Sequence, residues 1–312
     1  MIKIGNQVTS AALAILACLL WSTAFVGVKI GLRYTDPFSF AGIRFMLAGM
    51  MLVPFWWSKR TAVQMTGANV RTILQVCFFQ TFFLYGLFYL GITLVSGALA
   101  AIIIGASPLT AAIVAHFTMK NDSMTLPKSI SLLLGMIGMG VISISRMPWV
   151  SPSGLVECTG IGLLFLCTVS SAMGNVLVAR KKSDMDPIFL NSLQIFLGGL
   201  GLFLVSLVVE GRPNLVLPAE YYLALIWLSF LSAVSFTLWF ILLHRPGVKV
   251  SGLNIWKFII PVFGAVFSWI FLPDEYPNLI PVIGMLCIAS AIIVYNVADI
   301  REGKRKFAGH PV

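Results

Sequence analysis

Charged residues are scarce in this sequence, and their scarcity excludes a soluble globular domain. Only 10% of the 312 residues are Asp, Glu, Lys or Arg, while 59% are hydrophobic. A soluble domain usually carries about 25% charged residues. Apolar runs of about 20 residues, the length that a helix needs to cross a bilayer, recur along the chain with short polar joints between them. The composition therefore predicts an all-α, polytopic membrane protein.

Acidic residues are missing from the interior of these apolar runs. All eleven Asp and Glu fall in joints or at the ends of runs. A carrier that exchanges protons for organic cations normally needs a titratable carboxylate at membrane depth. That mode of transport is therefore disfavoured. An anionic or zwitterionic solute is favoured, because the charged residues within the runs are cationic.

Motifs for enzymatic chemistry, cofactors and metals are also missing. The three histidines are widely scattered, and the chain has no Gly-rich phosphate-binding loop and no metal-ligand spacing. The five cysteines lie in or beside apolar runs and match no motif, so we interpret them as small core residues. The net charge of +10 is spread over joints rather than clustered on a soluble face. We therefore expect no catalytic residue, cofactor, metal or nucleic acid, and the predicted partners are a small solute and the lipid bilayer.

Ten membrane spans account for the apolar runs. The first run is too long for a signal-peptide core, so we interpret it as a span. Of the 21 Lys and Arg, fifteen then fall in joints on the side of both termini, four on the other side and two within spans. Because basic residues concentrate in cytoplasmic loops, both termini are predicted to lie on the cytoplasmic side of a cell inner membrane. The predicted spans are 11–31, 38–56, 72–92, 95–117, 128–145, 159–179, 188–209, 221–243, 250–272 and 279–298.

The two halves of the chain resemble each other. Asp36-Pro37 precedes the second span, and Asp186-Pro187 precedes the seventh, 150 residues later; Arg44 falls opposite Gln194. Because each half has five spans, the second half enters the membrane from the opposite side. Such inverted repeats are typical of secondary transporters, whose solute site lies near the midplane between the halves. The predicted domains are a five-helix repeat 1–146, a periplasmic linker 147–158, a second five-helix repeat 159–300 and a basic cytoplasmic tail 301–312.

Short motifs recur within the spans. Trp21-Ser22-Thr23-Ala24-Phe25 lies in the first span and Arg44-Phe45 in the second, while Ser107-Pro108 and Ile260-Pro261 lie in the fourth and ninth. Together with ten spans in two inverted halves, they resemble the EamA-type transporters of the drug/metabolite transporter superfamily. The resemblance covers nearly the whole chain. It implies a ten-helix carrier with a central cavity lined by spans 1, 3, 4, 6, 8 and 9, which works by alternating access and most often exports its solute.

The chain departs from this family after spans 4 and 9. There the family usually has an acidic-basic pair, whereas this sequence reads Lys120-Asn121-Asp122 and Pro273-Asp274-Glu275.

Lys257 is the sharpest candidate for a solute-binding residue. Asn254, Lys257 and Pro261 follow one another at i, i+3 and i+7, which places them on one face of a helix. A lysine within a span is costly in lipid and is expected to face protein or water. Its ammonium could bind a carboxylate or phosphate, or it could extend towards the cytoplasmic interface. Both interpretations are open at this stage.

The other candidates are polar or aromatic residues at helical spacing. Ser171 and Asn175 share a face of span 6 and suit either a cavity wall or bonds between helices. Aromatic residues also recur at helical spacing, as Phe236 and Trp239 do in span 8, where they share a face with Ser232. Such faces suit either packing or a cavity for a solute with a ring. The predicted solute-binding residues are Lys257, Asn254, Trp21, Phe25, Phe82, Tyr85, Ser171, Asn175, Ser232 and Phe236, and the predicted structural or gating residues are Arg44, Pro108 and Pro261.

The favoured function is a secondary transporter that exports a small metabolite, such as an amino acid or organic anion. A proton-coupled drug exporter is the alternative within transport. A membrane enzyme acting on lipid and a sensor without flux are the alternatives outside it. Small residues in spans 5 and 10, such as Gly138 and Gly284, favour close helix packing, either within the chain or in a homodimer.

Overall fold

Within the residues that the structure describes, ten helical rods are present, one for each predicted span. The structure, a computed structural model, describes residues 2–57, 65–95, 100, 103–120, 122–144, 155–180, 185–214, 216–246, 248–271 and 279–308. The first five rods are α1 (Ile2–Gly31), α2 (Pro37–Trp57), α3 (Gly67–Ile92), α4 (Ser107–Thr118) and α5 (Leu126–Ile144). The second five are α6 (Leu155–Arg180), α7 (Pro187–Val209), α8 (Ala219–His244), α9 (Val250–Asn254, continuing through Ile255–Phe258 into Ile259–Phe271) and α10 (Leu279–Ala308).

The helices are apolar on their outer faces as well as in the core. Six of them are long and apolar enough to cross a bilayer, and shorter apolar segments lie in α1, α5 and α9. Large hydrophobic side chains point outwards, such as Leu223 on α8 and Leu286 on α10, with 69% and 64% of their surfaces exposed. Exposed apolar faces of this extent suit lipid, in which a helix satisfies its own backbone hydrogen bonds. The predicted fold class, an all-α polytopic membrane protein, is confirmed.

Equivalent helices of the two halves pack antiparallel. The start of α2 meets the end of α7, because the backbone N–H groups of Phe38 and Ser39 donate to the Glu210 carboxylate, each at 2.8 Å. The end of α2 meets the start of α7, where Trp56 Nε1 donates to Ser192 Oγ at 3.2 Å. Two helices at equivalent places in the repeat therefore run in opposite directions.

The peripheral pair α5 and α10 has the same relation. Ser131 Oγ on α5 donates to the Ala291 carbonyl on α10 at 2.7 Å. Nearer the end of α5, a Cβ built at Gly138 would lie 2.6 Å from the Gly284 carbonyl, which only glycine permits. The small residues of spans 5 and 10 thus pack against each other within one chain.

The remaining contacts obey the same twofold pattern. The packing of α1 on α8 is matched by that of α6 on α3, and the packing of α1 on α9 by that of α6 on α4. The contact of α2 with α8 is likewise matched by that of α7 with α3. The fold is therefore an inverted repeat of two five-helix halves. We call the side of the bundle on which α1 begins and α10 ends the terminal side, and the other the distal side.

Three helices depart from regular α geometry in ways that the spacing of apolar residues did not predict. In α3, the segment Phe78–Phe82 is a π-helical turn, which leaves carbonyls without their usual partners; Ser170 Oγ of α6 donates to the Phe79 carbonyl at 2.7 Å. In α9, the segment Ile255–Phe258 is a 3₁₀ turn. Helix α4 begins at Ser107, directly before Pro108. Irregular backbone at membrane depth occurs where protein covers it.

We predict that the crossing of α2 and α7 depends on Gly199. A Cβ built there would lie 2.6 Å from the Met46 backbone nitrogen, so Gly199→Ala forces the two backbones apart. Such overpacking typically costs about 1–3 kcal/mol, and we expect a lower apparent Tm of the purified protein. Gly162→Ala is the control, because a Cβ there meets no described atom within 4 Å. Equal melting temperatures for the two variants would contradict this account of the crossing.

Candidate solute site

Lys257 lies between the two halves, against the rings of two tryptophans. Its ammonium nitrogen is 5.0 Å from the centroid of Trp239 on α8 and 5.9 Å from that of Trp21 on α1. The side chain is partly exposed, and no described residue gives its ammonium a hydrogen bond or an ion pair. Aromatic faces attract a cation, but they leave its N–H donors without acceptors. The ammonium can therefore accept an anionic group without first losing a partner.

The aromatic side chains around Lys257 form one cluster. Trp21 packs edge-on against Phe236, with centroids 5.4 Å apart, and against Trp239, with centroids 5.1 Å apart. Trp21 keeps part of its surface exposed, whereas Phe236 and Trp239 are buried. Of the predicted site residues, the structure thus brings together Lys257, Trp21 and Phe236. The side chain of Phe25, one turn along α1, lies outside the described residues.

A chain of buried hydrogen bonds fixes the Trp239 side of this cluster. Trp239 Nε1 donates to Asn175 Oδ1 at 3.2 Å, and Asn175 Nδ2 donates to Asn254 Oδ1 at 3.1 Å. Asn254 Nδ2 then donates to the Val250 carbonyl at 2.9 Å. The three side chains are fully buried and join α8, α6 and α9. Asn175 and Asn254 are therefore bonded to each other in this conformation, and direct solute contact by either remains a prediction.

Arg44 of α2 and Ser232 of α8 bond to each other, two turns along α8 from Trp239. Arg44 Nε and Nη2 donate to Ser232 Oγ at 3.1 and 3.0 Å, and only 3% of the Arg44 surface is exposed. The repeat-related helices make a matching bond, in which Thr81 Oγ1 of α3 donates to Gln194 Oε1 of α7 at 2.7 Å. This symmetry favours the structural role predicted for Arg44, because its counterpart Gln194 is a neutral residue in the same kind of contact.

The other predicted residues lie on α3, α4, α6 and α9, and Phe82 and Tyr85 of α3 pack against the same core cluster as Phe236 and Trp239. Tyr85 packs its ring 4.4 Å from that of Phe45, and Phe82 lies against α7, where it would clash with a Cβ at Gly201. Ser171 is partly exposed on α6. Pro108 is buried in the first turn of α4, and Pro261 follows the 3₁₀ turn of α9.

Several polar residues of the core were not among the predicted site residues. Gln194 Nε2 donates to Asn191 Oδ1 at 2.9 Å, and Asn191 Nδ2 to Thr237 Oγ1 at 3.0 Å, which continues the Thr81 contact across α7 to α8. Gln80 Oε1 and Ser235 Oγ are buried without a partner in the described structure. Within the described part of the chain, no group of three His, Cys, Asp or Glu could hold a metal ion.

The surface grooves found on the bundle lie away from Lys257. Two grooves of about 460 and 440 Å³ lie elsewhere, on the outer surface. One follows a face of α3 from Gly67 to Phe79, and the other lies between the start of α5 and the end of α10. Neither groove includes a predicted solute-binding residue.

Two inverted five-helix halves with a buried polar centre define a membrane transporter of the inverted-repeat class. The model of the EamA-like transporter family matches residues 8–144 and 159–297, one copy on each half. The chain therefore belongs to the EamA-like transporter family, and the predicted resemblance is confirmed.

Relatives and a solved structure agree with this family. A WAT1-related chloroplastic protein of Arabidopsis thaliana is 28% identical over 89% of this chain and 67% of that protein, and an uncharacterized transporter of Bacillus subtilis, YvbV, is 27% identical over 92% and 91%. An S-adenosylmethionine/S-adenosylhomocysteine transporter of Chlamydia trachomatis is 23% identical over 93% of this chain and 90% of that protein. A crystal structure superposes with a TM-score of 0.79 at 16% identity, over 94% of this chain and 98% of the other, which supports the fold.

We predict that Asn175 positions the site through its hydrogen bonds. Asn175→Ala leaves Trp239 Nε1 and Asn254 Oδ1 buried without partners, which costs about 1–3 kcal/mol, and we expect a lower Tm. Ser171→Ala, one turn earlier on α6, is the control, because no hydrogen bond of Ser171 is described. An unchanged melting temperature for Asn175→Ala would show that these bonds contribute nothing to the assembly of α6, α8 and α9.

Proposed function

We propose that this transporter moves a small anionic or zwitterionic metabolite that carries a ring or another apolar portion. The observation that carries the proposal is the Lys257 ammonium, which lies between Trp21 and Trp239 and has no described anionic partner. A lysine ammonium binds carboxylate or phosphate as a point charge. The neighbouring rings offer an apolar surface on which a ring of the solute can stack.

The charges at membrane depth favour an anionic group on the solute. Among the described residues well inside the spans, the cations are Lys257 and Arg44, and Arg44 already bonds to Ser232. The buried Lys128, at the start of α5, already pairs with Glu302. An ammonium removed from water is costly, and an incoming carboxylate offsets part of that cost. A cationic solute without a carboxylate or phosphate would instead be repelled by Lys257.

The transport cycle follows from the inverted repeat. Rocking of one half against the other would open the site to each side of the membrane in turn. The excess of Lys and Arg in joints on the terminal side supports a cytoplasmic location for that side in a cell inner membrane. Export, from the terminal to the distal side, is the direction that the family resemblance favours.

A relative suggests the first solutes to test. The Chlamydia trachomatis protein named an S-adenosylmethionine/S-adenosylhomocysteine transporter aligns over most of both chains. Both compounds combine a carboxylate with an adenine ring, the two groups that Lys257 and the tryptophans suit. We therefore choose these two compounds and the aromatic amino acids as probes, with the aliphatic amino acids and simple organic acids as comparisons.

The test is a melting screen followed by counterflow in proteoliposomes. A bound solute raises the apparent Tm as its concentration exceeds its Kd, and an active probe should then exchange across the membrane. Lys257→Met keeps an unbranched apolar side chain on the rings but removes the charge. We expect it to lose both the stabilisation and the flux by a factor of about ten or more, the usual effect of removing a hydrogen bond to a charged group.

The matched control is Lys120→Ala, which removes an exposed lysine on the terminal side. It should bind and exchange the probe as the unmodified protein does. Full flux in Lys257→Met would remove Lys257 from the solute site. Stabilisation by cationic drugs alone, with flux driven by a pH gradient, would instead support a proton-coupled drug exporter.

A further inference from the structure

A buried carboxylate on the terminal side joins the two halves of the transporter. Asp122 lies in the turn between α4 and α5, and only 1% of its surface is exposed. Its Oδ2 accepts a hydrogen bond from the Ser251 backbone nitrogen at 2.8 Å, and its Oδ1 accepts one from Ser251 Oγ. Tyr295 of α10 donates its hydroxyl to the same Ser251 Oγ. One side chain of the first half thus binds the first turn of α9 in the second half.

The turn that carries Asp122 is itself held in place. The Asp122 backbone nitrogen donates to the Met119 carbonyl at 3.2 Å, and the Met124 nitrogen donates to His116 Nδ1, also at 3.2 Å. These bonds tie the turn to the end of α4. A movement of α4 relative to α9 therefore has to break the Asp122–Ser251 contact.

The neighbouring ion pairs do not join α4 to α9. Lys128, at the start of α5, lies 2.6 Å from Glu302 and 3.1 Å from Asp299 of α10. Lys249, just before α9, lies 2.6 Å from Asp299 and 3.3 Å from Glu302. The first lysine ties α5 to α10, a pair already packed through glycine, and the second ties α9 to α10 within one half. Among the described residues, the Asp122–Ser251 hydrogen bonds thus join the end of α4 directly to the start of α9, in addition to the packing of these two helices.

Helix α9 connects this contact to the solute site. Ser251, Asn254 and Lys257 follow one another at intervals of three residues, and the 3₁₀ turn Ile255–Phe258 lies over the last interval. Side chains at i and i+3 are eclipsed in a 3₁₀ helix, so Asn254 and Lys257 stay nearly in line. A short 3₁₀ segment within a helix often marks a hinge. The first turn of α9 can therefore move while Lys257 remains in the centre.

We propose that the Asp122–Ser251 contact, supported by Tyr295, is the gate that closes the terminal side of the solute pathway. With the contact made, α4 and α9 stay together and the terminal side is closed. When the contact breaks, the first turn of α9 swings away about the 3₁₀ turn, and the centre opens to the terminal side. This proposal requires transport but not the solute class proposed above.

Sided labelling of a native cysteine tests the gate without any solute. Cys167 of α6 is 3% exposed and close enough to Lys257 for electrostatic interaction, so it reports on access to the centre. The other four cysteines are replaced by alanine. A membrane-impermeant maleimide is then added to right-side-out and to inside-out membrane vesicles, with a C-terminal tag to identify the terminal side.

Asp122→Ala removes both acceptors of Ser251, and we expect labelling of Cys167 from the terminal side to rise about tenfold or more. Asp122→Asn keeps the volume but loses the charge, and it should give a smaller rise on the same side. This second variant keeps the test valid if Asp122→Ala fails to fold. A loss of stability without sided labelling would contradict a gating role, because a purely structural residue would produce that result.

Asp186→Asn is the matched control. Asp186 also lies at a helix start on the terminal side, but its Oδ1 accepts from Ile188 N of its own helix, within one half. This control should leave Cys167 labelling unchanged on both sides. Unchanged labelling in both Asp122 variants, or a rise from the distal side or from both sides, would overturn the proposal. Loss of flux in Lys257→Met has no bearing on this outcome, so the two proposals fail independently.

Discussion

An ammonium group at membrane depth must be covered by protein, and this constraint explains the arrangement of the centre. Hydrocarbon cannot solvate Lys257, so its position requires neighbours that tolerate a cation. Trp21 and Trp239 supply aromatic faces from two helices that belong to different halves. The centroid distances of 5.9 and 5.0 Å hold the charge near both rings without neutralising it. The site is thus defined by the meeting of the two halves.

The contacts around this centre are of two kinds, close backbone packing that is fixed and side-chain hydrogen bonds that can break. Fixed contacts join equivalent helices, as at Gly199 on Met46 and Gly138 on Gly284, where backbones approach so closely that a side chain would clash. Between these helix pairs, side-chain hydrogen bonds such as Arg44 to Ser232 and Asn175 to Asn254 join helices in the core. A carrier needs both kinds, because alternating access requires rigid halves that separate along a limited set of contacts.

Much of the fold was predictable from the sequence, whereas the site was predictable only in part. The bilayer sets the span length, so the ten apolar runs could be recognised as spans. The Asp36-Pro37 and Asp186-Pro187 repeat then divided them into halves of five spans, an odd number, which indicated that the halves are inverted. Lys257 was conspicuous because a cation within a span is rare. The role of Asp122 was not predictable, since a carboxylate in a polar joint carries no signal of the helix that it will bind. The π turn in α3 was likewise hidden, because the spacing of apolar residues does not show that Ser170 of another helix bonds to one of its carbonyls.

A structure with a bound solute tests the central claim most directly. The compound would be the probe that gives the largest stabilisation, and the structure would be determined in a lipid nanodisc. The account predicts that its carboxylate or phosphate lies within hydrogen-bonding distance of Lys257 Nζ and its ring against Trp21 or Trp239. A solute bound away from Lys257, or a Lys257 side chain directed into the lipid, would contradict the account.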